Sequence, residues 1–412
     1  MKSFLCLLAL ATALLIYPSA PGVSAPKPAE NKPAEETEQD KINKAVDRGV
    51  ELLLKQKFGR GSSELELVVL TLSHSGLNED NPKFKELVAS MLQKNEPQVY
   101  PVSLRAMALE SINRVKYQEQ IADCAQSLVN YQATNGQWGY DAMFRKGKDI
   151  KPVVTPDPPK VIEVISDAAV PAPQRKDSKT ESKKEDKLKS YAVNRNNPKR
   201  PPSGDNSNTQ FALLGLRAAA RAGVAIPKEV WEDSAKWWIK DQEKEGGWAY
   251  SYGTTFKGSP YGSMTVAGIC GLAICKCYLG EDYKNDPIIK KAMDWLSSGL
   301  NFSENTGCGK FVLFLDKTTW LYYYIYGVER VGAIMDTDKL GEKDWYKMGI
   351  EYLLASQARD GSWNSSIDDR FGCTSMADTC FALMFLRKAT PVMKTKTPSP
   401  EEKKIETPDS GK

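Results

Sequence analysis

The sequence has 412 residues, with 56 lysines and arginines against 52 aspartates and glutamates and a formal net charge of +4. That balance, with no basic stripe on any predicted helix, argues against nucleic acid as a partner. A single histidine leaves a His–carboxylate dyad one candidate, His74, whose position at a helix end also suits a purely electrostatic role.

The chain opens as a secretory signal: Lys2, then the apolar run Phe4–Ile16, too short to span a bilayer, then small residues up to Ala25. Residues 1–25 are therefore expected to be removed on export, leaving a periplasmic or extracellular protein without a transmembrane span. Residues 26–39 and 390–412 are rich in Pro, Glu and Lys and carry too little apolar surface to offset chain entropy, so both are expected to be disordered. So is an insert at about 145–203, which holds RKDSKTESKKEDKLK. It is expected to overhang the folded part or tether a partner, and its removal over Lys148–Arg200 is expected to leave folding intact. Residues 40–389, less the insert, give one large domain of about 300 residues with a substantial core.

Apolar residues then recur at helical spacing, without strand-type alternation. The pattern predicts twelve helices. They run over Asp40–Lys57, Ser63–Ser75, Pro82–Lys94, Pro101–Lys116, Glu119–Gln132, Ser207–Ala222, Lys228–Gln242, Ser263–Leu279, Pro287–Ser298, Lys317–Ala333, Glu342–Gln357 and Ser375–Lys388. Odd-numbered helices are amphipathic; the seventh sets Trp231, Ala235, Trp238 and Ile239 against Glu232, Asp233, Lys236 and Lys240. Several even-numbered ones, such as Phe211–Ala220 and Thr265–Cys275, are apolar all round and must be covered on every side. Six covered helices alternating with six half-exposed ones predict an all-α fold, an (α/α)6 toroid of two concentric layers.

Three outer helices end on one pattern, Gln-x3-Gly-x-Trp: Gln132, Gly136 and Trp138; Gln242, Gly246 and Trp248; Gln357, Gly361 and Trp363. Worn copies occur at Lys57-x3-Gly61-x-Ser63 and at Ala292-x2-Trp295-Leu296, so the chain is built from repeats. Physically the pattern reads as structural. Gln can donate to an unpaired carbonyl of the last helical turn, Gly permits the reversal, and Trp covers the next helix.

This frame resembles the QW motif of squalene and hopene cyclases, within the wider class of terpenoid cyclase and protein prenyltransferase toroids, and is similar to exported bacterial repeat proteins. The resemblance implies the same toroid, and it supplies three chemistries to compare. The cyclase acid cluster Asp-x-Asp-Asp has Asp336-Thr337-Asp338-Lys339 as its nearest match, with Lys in the last place and an outer helix following. The prenyltransferase zinc pair Asp-x-Cys is matched by Asp378-Thr379-Cys380, but no histidine follows to complete a site. Ser375-x-x-Asp378 reads equally as a capping box. The thioester triplet Gly307-Cys308-Gly309 lacks the Glu-Gln that should follow, leaving at most an exposed thiol at Cys308. No metal and no cofactor are expected on these grounds.

All outer-to-inner loops of a toroid lie at one end, its mouth. That end gathers Trp138, Tyr140, Trp248, Tyr250 and Trp363 as candidate binding aromatics, with Asp141, Asp368 and Asp369 as candidate acids beside them. Asp378 is the further candidate acid, on an inner helix. Aromatics with two carboxylates suit glycan cleavage, whereas a non-catalytic toroid would use the mouth to hold a protein, a glycan or a small apolar ligand. A divergent isoprenoid-processing enzyme is the third reading. The cysteines other than Cys6 are expected to be mostly buried thiols on apolar helices.

Overall fold

A computed structural model describes residues 36–58, 64–94, 98–140, 153–155, 188–252, 256–309, 316–365 and 374–393. The chain divides after Thr37, and every helix described lies in the unit that begins at Glu38. The helices are α1 (Glu38–Lys55), α2 (Leu65–His74), α3 (Pro82–Gln93), α4 (Val99–Asn113), α5 (Gln118–Tyr131) and α6 (Asn206–Arg221). They continue as α7 (Lys228–Asp241), α8 (Gly262–Leu279), α9 (Pro287–Gly299), α10 (Leu321–Met335), α11 (Trp345–Ser356) and α12 (Ser375–Leu386).

The even-numbered helices form a closed inner ring, because α2 packs on α4, α4 on α6, α6 on α8, α8 on α10, α10 on α12, and α12 again on α2. Outside them α1 bridges α12 and α2, α3 lies on α2, α5 bridges α4 and α6, α7 and α9 flank α8, and α11 bridges α10 and α12. This is the predicted (α/α)6 toroid. The layer assignment follows from patterning. In α8 all but three of eighteen residues are buried, whereas in α9 only Ile289, Ala292 and Leu296 are. By length and composition α8 could cross a bilayer, but neighbouring helices enclose it as a core helix.

Helix starts follow local chemistry. Asn81 before Pro82 and Asp286 before Pro287 accept from the first free amides of α3 and α9. The tenth helix begins at Leu321 rather than Lys317, since Trp320 adopts a left-handed φ of 55° that no helix continues through.

Two stretches expected to be disordered are partly ordered. Residues 188–203 lie along the outside of α5. Strand β2 (Ser190–Ala192) pairs in parallel with β3 (Val224–Ala225) and antiparallel with β1 (Val153–Thr155). The reason is a row of amides on α5 that the hydrophobic pattern does not register. Gln118 donates to the Lys189 carbonyl and accepts from the Lys189 amide, and Gln126 does the same with Asn194. Residues 188–203 therefore run along the outer wall. Of the span Lys148–Arg200, residues 188–200 are thus hydrogen-bonded to the helical domain.

The folded part also reaches Met393 rather than stopping at 389. Thr390 gives its amide and hydroxyl to Glu329 of α10, the Pro391 carbonyl accepts from Arg217 of α6, and Met393 is buried. These residues draw the chain across the C-terminal ends of the inner helices, opposite the mouth.

Candidate functional site

The repeat residues form the same clasp three times. The side-chain amide of Gln132 donates to the Gly136 carbonyl and to the Val230 carbonyl of α7. Gln242 donates to Gly246 and to Ile288 of α9, and Gln357 to Gly361 and to Ala45 of α1. Each Gln thus ties its own turn to the following outer helix. In the first and third copies the remaining Gln oxygen accepts from a guanidinium, that of Arg195 or Arg48.

The glycines are required twice over. Gly136, Gly246 and Gly361 have φ of +93°, +106° and +93°, and a Cβ there would fall 2.2–2.7 Å from the carbonyl oxygens of Asp233, Lys291 and Arg48. Each of those carbonyls lies three residues beyond the one the Gln grips, so the clasp has a fixed register on the neighbouring helix.

It is the tryptophan, rather than the glutamine, that serves its own helix. The indole N–H donates to a last-turn carbonyl ten residues back: Leu128, Trp238 and Leu353 at 2.7–2.9 Å. The Trp backbone amide donates to a threonine hydroxyl of the next inner helix, Thr209, Thr265 or Thr379. These threonines belong to the repeat although the motif omits them.

The clasp also corrects the binding candidates at the mouth. Trp138, Trp248 and Trp363 are fully buried, so none offers a ring face to a ligand in solvent. Tyr250 is partly buried against the core, and Tyr140 is 54% exposed. Asp141, Asp368 and Asp369 lie outside the described residues.

Asp378 is buried, with one carboxylate oxygen accepting from both the amide and hydroxyl of Ser365 at 2.8 Å. The capping-box reading fails, because Thr374 caps α12 through the Ala377 amide. Burial raises the Asp378 pKa to about 6, and the groups that sense its charge are Tyr322 and Tyr352, between the layers. Cys380 points instead toward Thr71 of α2, and burial pushes its thiol up to about 12. The two are not directed at a shared ion, and among the described residues no three His, Cys, Asp or Glu side chains cluster as metal ligands. Cys308, expected as a possible exposed thiol, is buried; all six described cysteines are buried and free of disulfides. Asp336 sits at the far end of α10 facing Lys284, away from the mouth.

The lumen holds a column of rings. Tyr140 stacks on Tyr100 of α4 at 6.0 Å, and Tyr100 meets Phe211 of α6 at 4.6 Å. Phe211 lies 6.0 Å from Tyr323 of α10, and Phe381 of α12 contacts both Tyr323 and Tyr326. Helices α6 and α10 are separated by α8 in the ring, so Phe211–Tyr323 crosses the lumen, as does the hydrogen bond from the Tyr323 hydroxyl to Gln210.

Arg330 completes this group. Its guanidinium carbon is 4.5 Å from the Tyr326 ring centroid and 5.6 Å from those of Phe211 and Tyr323. Its neighbour Glu329 faces the end opposite the mouth, where burial raises its pKa to about 7 while Thr390 occupies both carboxylate oxygens. Neither was singled out in the sequence. The available signal was a charged pair inside the otherwise apolar stretch LYYYIYGVERVGAIM.

No family model matches the chain. A squalene–hopene cyclase from Bradyrhizobium diazoefficiens is 28% identical over 169 residues, which are 40% of this chain and 23% of that protein. The match therefore spans about a quarter of the curated relative's length. Solved structures of the type II terpene cyclase MstE from Scytonema align over 85% of this chain. An apo variant has 11% identity, covers 98% of its own chain and gives a TM-score of 0.49; the apo wild type has 12%, 99% and 0.45. The fold, established by the closed ring of contacts, is that of the squalene-cyclase and prenyltransferase-like α/α toroids.

Proposed function

We propose that this protein is an exported, non-catalytic toroid that works by binding, with the mouth around Tyr140 as the recognition surface. The single observation that supports this most is the content of the lumen. Rings from four inner helices and a guanidinium line the space in which a cyclising toroid would present its acid. Each carboxyl that burial has shifted upward is engaged by hydrogen bonds: Asp378 by Ser365, Glu329 by Thr390 at the opposite end, and Asp205, whose charge reaches Tyr100, Tyr140 and Tyr323, by Ser207 and Asn208. Export is supported by Lys2 and the apolar run Phe4–Ile16.

The test is product analysis after incubating purified protein with squalene and, separately, with a prenyl diphosphate and a cysteine-containing acceptor peptide. The reading predicts that both substrates are recovered unchanged. A cyclised hydrocarbon, or transfer of the prenyl group, would overturn it.

A further inference from the structure

The lumen contains donors without acceptors. Arg330 is fully buried, and none of its three guanidinium nitrogens has a hydrogen-bond partner among the described residues. The Gln210 side-chain nitrogen is buried and unpartnered as well, while its oxygen accepts from Tyr323. A buried guanidinium ordinarily finds a carboxylate or a carbonyl, because leaving its charge and N–H groups unmatched is costly. Ring contacts engage the guanidinium electrostatically but supply no lone pairs for five in-plane N–H bonds.

The two carboxylates most able to help are committed elsewhere. Both oxygens of Glu329 are held by Thr390, and those of Asp205 by Ser207 and Asn208. What is unmatched around Phe211 is thus mainly on the donor side, with the three Arg330 nitrogens and the Gln210 nitrogen set against one acceptor, the Asn208 side-chain oxygen. The complement of such a cluster is an oxyanion, and the complement of the surrounding walls is an apolar body.

We propose that the lumen binds a small amphipathic acid, with its carboxylate on Arg330 and Gln210 and its apolar part along the ring column headed by Tyr140. Tyr140 stands at the solvent end of that column. The inference rests on the binding reading above and names its ligand class. The two fail separately, since a cyclised product overturns the first and an absence of acid binding overturns the second.

The probe is cis-parinaric acid, titrated by fluorescence into the full-length protein alongside its methyl ester. Saturable binding of the acid is expected, with the ester weaker by about tenfold or more, the equivalent of one charge-assisted hydrogen-bonded contact. Arg330→Met should bring acid and ester to similar affinities. No saturable binding of the acid, or equal affinity of the wild type for acid and ester, overturns the proposal. The wild-type comparison decides the matter even if the variant does not fold.

Discussion

The side chain of Gln357, at the end of α11, donates to the Ala45 carbonyl of α1 at 2.9 Å, tying the last outer helix to the first. The same Gln also accepts from Arg48, one turn further along α1, so at the closure of the outer layer one side chain both donates to and accepts from α1. Gln357→Ala should lower unfolding free energy by roughly 1–3 kcal/mol, since it leaves two carbonyls without their donor. Gly361→Ala should cost at least as much, because the left-handed backbone alone is worth about 1–2 kcal/mol and the new methyl meets the Arg48 carbonyl. Denaturant unfolding checks both, and a wild-type midpoint for either would contradict the clasp.

Much of this arrangement was legible in the sequence, and the reason is periodicity. Burial on all sides leaves its mark in runs such as Gly262–Leu279, and three clasps at one spacing mark where the mouth lies. The role of each motif residue was less legible. A spacing of four residues places Gln132 beside Gly136, but says nothing of Val230, ninety-eight positions away. For the same reason Thr209, Thr265 and Thr379 escaped notice, since their distance from the matching Trp varies with loop length. The placement of residues 188–203 was missed because they are held by amide side chains and not by apolar ones. Composition detects only the latter.

The three tryptophans should respond alike. Replacing Trp138, Trp248 or Trp363 by Phe keeps a large apolar ring but removes the donor to Leu128, Trp238 or Leu353. Each change should cost roughly 1–3 kcal/mol, the penalty for a buried carbonyl left unmatched. Tyr140→Ala, at an exposed ring, should leave stability within about 0.5 kcal/mol. Thermal unfolding of the four variants tests the contrast, and a large loss for Tyr140 alone would reverse the assignment of struts and surface.

The strand laid along α5 should come loose when its amide partners are removed. In the double variant Gln118→Ala, Gln126→Ala, four hydrogen bonds to Lys189 and Asn194 are lost. Residues 188–200 should then be cut by trypsin faster than in the wild type, with Arg195 and Lys199 as the newly available sites, while the helical core resists. Equal cleavage rates would mean that the strand is held by something else.

Glu329 should leave a signature in the pH dependence of stability. Burial raises its pKa from 4.5 to about 7, so the folded state binds the proton more tightly than the unfolded state does. Stability from this group is therefore fully present below pH 4.5 and is lost as the pH rises through 7. Asp378, raised to about 6, acts in the same sense; His74, lowered to about 4 by burial, acts oppositely by losing stability as pH falls below 6.5. Comparison with Glu329→Gln isolates the one group. The wild type should lose stability relative to the variant by up to about 3 kcal/mol between pH 4.5 and 7. A difference that does not change with pH would contradict the assignment.

The central claim is that the lumen is lined by buried rings and a guanidinium, shut off from bulk solvent below Tyr140, and serves binding and not cyclisation. Nitration of the native protein with tetranitromethane, mapped by mass spectrometry, tests it most directly. Tyr140 should be modified readily, while Tyr323 and Tyr326, which line the column below it, should be protected until the protein unfolds. Modification of Tyr323 and Tyr326 at the rate of Tyr140 would mean an open, solvent-filled lumen and would contradict the account.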